Sequence, residues 1–239
     1  MSRLAVGGAR RIWVTRASPG AQATAARLRA MGFEAVVDPL LAVRDLSPAL
    51  DLAGVAALAF TSVNGVTAFA RLDDDRARPV FAVGDRTAAA AREAGFVDVA
   101  SADGDVEALA ALITSQAADL DGAVLHPSAL EPAGDLVSPL VATGLSVRRV
   151  AVYETLDQDP KAETLAGLDD LHVVLLHSPR AARKLAQVLG AHPAPGLRAL
   201  CLSAAVAQPL ATLAQTGALA SVAFAPHPSE TALLDLVTV

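Results

Sequence analysis

Short apolar runs alternate with longer Ala-rich stretches of helical period along almost the whole chain. Runs at 11–15, 34–38, 55–60, 80–83, 96–100, 122–126, 146–152, 172–177, 197–202 and 220–225 predict strands. They are short, rich in Val, Leu and Ala, and most end at or just before Gly, Pro, Asp or Ser, as buried strands do. Between them, 20–31, 64–71, 86–94, 105–115, 130–142, 180–189, 204–215 and 229–237 read as helices. Strands separated by helices imply βαβ units and a parallel sheet, so the expected class is α/β.

The pattern occurs twice. A-F-T-S-V-N-G at 59–65 and L-L-H-S-P-R-A at 175–181 place Ser62 and Ser178 about 116 positions apart. Gly32-Phe33-Glu34 matches Gly144-Leu145-Ser146, and V-F-A-V-G at 80–84 matches A-L-C-L-S at 199–203. Constant order and a nearly constant offset point to duplication, and the length suits two domains of ordinary size. Two segments break the rhythm: D-P-L-L-A-V-R-D-L at 38–46 and R-V-A-V-Y-E-T-L at 149–156 follow strands with no helix between. Both read as extended connectors on which a chain leaves one domain and later returns. The expected division is 1–38 with 156–239 as a discontinuous domain and 39–155 as an inserted one, its linker strands near 39–46 and 149–155. A cleft between two such domains is the expected ligand site.

Composition narrows the chemistry. Hydrophobic residues make up 53% but aromatics only 3%, which suits parallel strands under Ala-rich helices and leaves no stacking platform for single-stranded nucleic acid. The formal net charge of −6 argues against attraction of polyanions, so an anionic ligand needs a local basic pocket. Lys161 and Lys184 are the only lysines; the other basic residues are arginines, which form bidentate carboxylate contacts, although base composition of a genome gives the same bias. The single Cys201 excludes an internal disulfide framework, fits a reducing compartment and reads as a core residue. No secretory signal or membrane span is expected, so the chain is placed in the cytoplasm.

No phosphate loop, dinucleotide fingerprint or nucleophile elbow is present. The histidines at 126, 172, 177, 192 and 227 lack metal-ligand spacing, and no metal is expected. Ser62 and Ser178 fit helix N-caps, with Pro179 at a favourable first helical position. Capping alone accounts for them; the functional reading adds that N–H groups at the same helix ends bind an anion. Thr15-Arg16 ends the first strand before a further cap signal at Ser18-Pro19, and Gly84-Asp85-Arg86-Thr87 forms a third strand-to-helix turn. Tyr153, the only tyrosine, lies on the second connector, where it serves either as packing or as a catalytic hydroxyl.

Together these residues resemble the uroporphyrinogen-III synthase family. The likeness rests on V-T-R at 14–16, F-T-S-V-N-G-V at 60–66, A-V-G-D-R-T-A at 82–88, V-Y-E-T at 152–155, H-S-P-R-A at 177–181 and P-H-P-S-E-T-A-L-L at 226–234. These motifs span nearly the whole chain. The resemblance implies two similar parallel-sheet, flavodoxin-like domains joined by a two-stranded linker. It implies conversion of linear hydroxymethylbilane to uroporphyrinogen III, with loss of water and inversion of ring D, without a cofactor. It also implies that Tyr153 assists departure of the hydroxyl. Thr61, Ser62, Asn64, Gly65, Gly84 and Thr87 would bind substrate from the inserted domain, and Thr15, Arg16, Ser178 and Pro179 from the other. Where many members carry a Gly followed by threonines, this chain has Ser203-Ala204-Ala205-Val206, which leaves Ser203 to supply that hydroxyl. A monomer in transient contact with the preceding deaminase is the expected state. A two-domain protein that closes on a small anion without chemistry is the alternative, and a family-like domain recruited for regulation a third.

Overall fold

A computed structural model describes residues 10–18 and 20–238. In chain order the strands are β1 (Arg11–Val14), β2 (Glu34–Val37), β3 (Leu41–Asp45), β4 (Val55–Phe60), β5 (Val80–Ala82), β6 (Val99–Ser101), β7 (Ala123–Ala129), β8 (Val147–Asp157), β9 (Leu171–Leu176), β10 (Ala194–Cys201) and β11 (Leu219–Phe224). The α-helices are α1 (Gly20–Ala30), α2 (Val63–Ala70), α3 (Asp85–Glu93), α4 (Val106–Ser115), α5 (Val137–Ala142), α6 (Ala162–Ala166), α7 (Pro179–Ala191), α8 (Ala204–Ala207), α9 (Ala211–Gln215) and α10 (Glu230–Asp235).

The chain forms two compact units, Met1–Ala42 with Leu156–Val239 and Val43–Thr155. Both are α/β, each built on its own mainly parallel sheet. Unit 1 has the spatial order β11-β10-β9-β1-β2, every neighbouring pair parallel. Counted along its own chain this is the 2-1-3-4-5 order of flavodoxin-like sheets. Unit 2 runs β3-β8-β7-β4-β5-β6, and the five strands from β8 to β6 are parallel. The unit boundaries fall inside β3 and β8. The bonds Leu46 N–H to Val152 O and Gln158 N–H to Leu40 O show that these two strands are antiparallel.

The duplication is visible in backbone geometry. Gly32 closes α1 at φ 86° and Gly144 closes α5 at φ 87°, left-handed values that favour glycine. Each is followed by a return bond, Phe33 N–H to Leu28 O and Leu145 N–H to Leu140 O. On this match β1 and β2 correspond to β7 and β8, and β9–β11 correspond to β4–β6. Each unit therefore combines two strands of one repeat with three of the other, and the two sheets have the same spatial plan with different chain starts.

The strands read as continuous apolar runs because both sheet faces are covered. In β9, Val174 and Leu176 pack with Trp13 and Leu185 on one face, while Val173 and Leu175 pack with Ile12 and Leu233 on the other. In unit 2, Phe60, Phe69 and Phe96 form an aromatic cluster beside Leu58 and Val152.

Several expected elements differ. The segment 149–156 is continuous with the strand before it: with no Gly or Pro to interrupt it, β8 runs on for 11 residues between β7 and β3. Helix is absent over 130–136, where Pro132 and Gly134 oppose it, and α5 starts after Asp135, whose carboxylate accepts from the N–H groups of Val137 and Ser138. The helix expected over 204–215 is divided at Pro209 by a 3₁₀ turn, Gln208–Leu210. Strand β6 begins at 99 rather than 96, because Gly95 closes α3 and Phe96 is buried beneath it. Helix α6 and the 3₁₀ turn Leu168–Asp170 had no counterpart in the sequence pattern. Pro19, part of the Ser18-Pro19 cap signal, lies outside the described residues.

Candidate active site at the strand ends

In open α/β sheets a ligand approaches the carboxyl ends of the strands, where the strand order changes direction. That point lies between β4 and β7 in unit 2, and between β1 and β9 in unit 1. Most of the expected site residues cluster at these two places.

In unit 2, β4 ends at Phe60 and Ser62 caps α2. Ser62 is extended at φ −158° and ψ 153°, and its Oγ accepts from Gly65 N–H at 3.1 Å. The same Oγ lies 2.9 Å from the hydroxyl of Tyr153. Since Ser62 Oγ already accepts one bond, its own proton can go to the tyrosine oxygen, leaving the phenolic O–H to donate outward. Tyr153 is only 7% exposed. It lies just past a register shift in β8: Ser128 pairs with Ala151 but Ala129 with Tyr153. Such an irregularity re-aims a side chain. Gly65 is required by packing, because a Cβ there would stand 2.9 Å from the backbone oxygen of Pro127 on β7. Thr61 and Asn64 flank this turn and are half-buried.

Gly84 caps α3 without a side chain and has open space where a Cβ would stand. Thr87, in the first turn of α3, is buried, and its N–H bonds to Gly84 O at 3.0 Å. His126, on β7, is buried with Nδ1 2.8 Å from Ala59 O, and its Nε2 has no hydrogen-bond partner among the described residues. Facing a carbonyl, Nδ1 carries the proton. Burial pushes the His126 pKa down, the bond to Ala59 opposes this, and the charge of Arg149 lowers it further.

Unit 1 repeats the cap. Ser178, at φ −148° and ψ 151°, accepts from Ala181 N–H at 3.2 Å, and Pro179 opens α7. Thr15 does not face outward: it is fully buried and donates to Leu175 O at 2.7 Å, fastening β1 to β9. Ser203 occupies the cap position of α8 but makes no capping bond. Cys201 is buried, and desolvation pushes its thiol up to about 12, so it stays protonated.

Arg16 belongs to a cluster that sequence reasoning missed. Its Nη1 is 3.0 Å from Glu230 Oε2, which also lies 2.9 Å from His177 Nε2; Glu230 Oε1 accepts from Thr24 at 2.5 Å. Burial alone would raise the Glu230 carboxyl. The hydrogen bonds of His177 and Thr24 and the charges of His177 and Arg16 outweigh it and hold the pKa at about 2. His177 Nδ1 is buried without a hydrogen-bond partner among the described residues. The partners lie 214, 206 and 53 positions from Glu230, so only the sheet order brings them together. The available hints were His177 at a strand end and the P-H-P-S-E run, whose Ser229 caps α10.

Among the described residues, no three His, Cys, Asp or Glu side chains converge as a metal site, and no helix is long and apolar enough to cross a membrane. The family model described as HEM4: Uroporphyrinogen-III synthase HemD matches residues 22–235. The fold is similar to the crystal structure of uroporphyrinogen-III synthetase from Helicobacter pylori, with TM-score 0.64, 19% identity, and 96% of this chain and 98% of that one covered. It is also similar to a mutant uroporphyrinogen III synthase from the extremely thermophilic bacterium Thermus thermophilus, with TM-score 0.53, 17% identity, and 96% and 98% covered. None of the curated proteins matches the chain.

Proposed function

Because the chain belongs to the uroporphyrinogen-III synthase family, lyases of haem tetrapyrrole biosynthesis, we propose that it closes hydroxymethylbilane to uroporphyrinogen III with Tyr153 assisting the hydroxyl's departure. The observation that carries the catalytic assignment is the 2.9 Å contact between Ser62 Oγ and Tyr153 OH at the capped start of α2. The phenol donates its proton to the leaving hydroxyl, the C–O bond breaks, and water departs from an azafulvene cation. The substituted carbon of ring D attacks this cation to give a spiro intermediate. One C–C bond of that intermediate reopens, ring D closes again in the reversed sense, and the last proton lost balances the one Tyr153 gave.

Because the substrate cyclises unaided to the wrong isomer, much of the catalysis is geometric. Thr61, Ser62, Asn64, Gly65, Gly84 and Thr87 in unit 2, and Arg16, Ser178, Pro179 and Ser203 in unit 1, hold the substrate's carboxylates through hydroxyls, helix-end N–H groups and the guanidinium. Thr15 supports the Arg16 turn from inside the sheet. To test the assignment, hydroxymethylbilane is generated in situ and the products are resolved by chromatography. Type III product is expected; type I alone would overturn the enzyme reading and favour anion binding without catalysis.

The same reading places the chain in the cytoplasm as a monomer that meets the preceding deaminase transiently. Cys201 is the chain's single cysteine, and a chain without an internal disulfide framework supports a reducing compartment. Gel filtration of the protein alone and with the deaminase tests both points, and a stable dimer would contradict the first.

A further inference from the structure

The Tyr153 side chain sits on the side of the sheet that strict alternation would deny it. Val150 and Val152 pack with Leu58, Phe60 and Val66 beneath α2, whereas Val147 packs with Ala57, Val124 and Leu140 on the opposite face. By alternation Tyr153 belongs with Val147, yet it joins Val152 in the α2 cluster, next to Ser62. The register shift makes this possible: Ser128 pairs with Ala151 and Ala129 with Tyr153, leaving Val152 without a partner on β7. Such a bulge takes backbone groups out of the regular ladder, and they need other partners.

Arg149 supplies them. By alternation it lies on the Val147 face, away from α2, and its Nη1 donates to Ala129 O at 3.2 Å, Leu130 O at 3.3 Å and Ser128 Oγ at 3.4 Å. Ser128 Oγ in turn donates to Ala129 O at 2.9 Å, so side chains occupy both lone pairs of that carbonyl. Leu130, held at its oxygen by Arg149, donates its N–H to Tyr153 O at 2.8 Å. All three acceptors are neutral oxygens of consecutive residues at one strand end; the neighbouring Arg148 pairs instead with the Asp51 carboxylate at 3.0 Å. Resting on the functional reading above, we infer that Arg149 is a positioning residue that fastens the end of β7 and thereby holds the bulge that aims the Tyr153 phenol. Loss of the bulge would return β8 to regular register and turn Tyr153 to the far face. Arg149 acts through the backbone and from the face opposite the phenol.

The test compares kcat and KM for type III formation in wild type, Arg149→Met, Tyr153→Phe and the double variant, with unfolding of each followed by circular dichroism. Arg149 is exposed, and methionine keeps much of its stem while removing the donors, so the variant is expected to fold. Arg149→Met should lower kcat about tenfold, as a misplaced catalytic group does, with KM within about twofold of wild type. In the Tyr153→Phe background the same change should lower kcat less than about twofold, because no phenol remains to be aimed. Should Arg149→Met fail to fold, Ser128→Ala removes the other donor to Ala129 O and should lower kcat about two- to threefold, again only where Tyr153 is present. An unchanged kcat at any melting point, a rise in KM alone, or an equal loss of kcat in both backgrounds overturns the inference. A wild-type rate in Tyr153→Phe removes the phenol from the reaction and the inference with it; absence of type III product from wild type overturns the functional reading itself.

Discussion

In both units a strand ends in a serine that caps the next helix, and Ser62 and Ser178 have nearly the same backbone angles and the same bond to the third helical N–H. Beside Ser62 stands a neutral partner, the buried phenol of Tyr153; beside the β1 and β9 ends stands an ionic cluster around Glu230. Duplication preserved the backbone device while the two copies took up opposite chemistry. In unit 2 the phenol is hydrogen-bonded to another hydroxyl, whereas in unit 1 an Arg16–Glu230 ion pair fixes charge in place. The proposed division of labour follows: unit 2 supplies the proton and unit 1 grips the anion.

The sharpest way to break that comparison is at the third residue after each serine, Gly65 in unit 2 and Ala181 in unit 1. A methyl at Gly65 would meet the Pro127 backbone oxygen, which cannot swing aside, so α2 must lift from β7 and draw Ser62 away from Tyr153. Gly65→Ala is expected to cost about 3 kcal/mol of unit 2 stability and to reduce turnover with it. The converse change, Ala181→Gly, should cost unit 1 only about 1 kcal/mol through helix propensity. Denaturant melts followed separately by Trp13 and Tyr153, the single residues of their kinds in the two units, check both values. Equal losses would show that the two turns are packed alike.

Tyr153→Phe tests the neutral site directly. Loss of an acid group lowers turnover by about 10²-fold or more, while the geometry that selects the type III isomer survives. Single-turnover rates with in situ substrate should therefore fall with the type III share retained. A rate equal to wild type would remove Tyr153 from the mechanism.

The serine caps, the Gly32 and Gly144 turns and the alternation of elements were legible because each is local: a strand end, a cap or a positive-φ glycine is written in a few adjacent residues. The 130–136 loop and the Pro209 break were legible in principle, since Pro and Gly stand there, but Ala-rich flanks concealed them. The Tyr153 irregularity depends on which residue of β7 pairs with which residue of β8, and periodicity carries no register. The Glu230 cluster was hidden more deeply. Its members come from the turns after β1 and β9 and from α1 and α10, and they meet only because the sheet places β9 beside β1.

Acid separates the two units further, because the groups they bury differ. Glu230 has its pKa depressed to about 2 from 4.5. The unfolded chain takes up that proton first, so the stabilisation is complete above about pH 4.5 and is lost as pH falls toward 2, at about 3 kcal/mol in all. His126 has its pKa lowered from 6.5, so here too the unfolded chain protonates first and stability declines as pH drops below 6.5. The Tyr153 transition in unit 2 should weaken first on acidification, with the Trp13 transition in unit 1 holding until below about pH 4.5. His126→Gln should abolish the early loss. Simultaneous weakening of both transitions at every pH would mean that neither group controls its own unit.

The caps themselves provide the finest test. Ser178→Ala removes one bond to Ala181 N–H and should lower unit 1 stability by about 1 kcal/mol, the usual value of an N-cap. Ser62→Ala removes the same bond to Gly65 and also deprives the buried Tyr153 hydroxyl of its partner, adding about 1 kcal/mol for an unsatisfied group. If both variants cost the same, the 2.9 Å contact between Ser62 and Tyr153 contributes nothing to stability, and the two strand ends differ only in what surrounds them. A larger cost for Ser62 in the Tyr153 transition, with Trp13 unmoved, would mean that the phenol is anchored by the cap itself, which ties the orientation of the proposed acid to the start of α2.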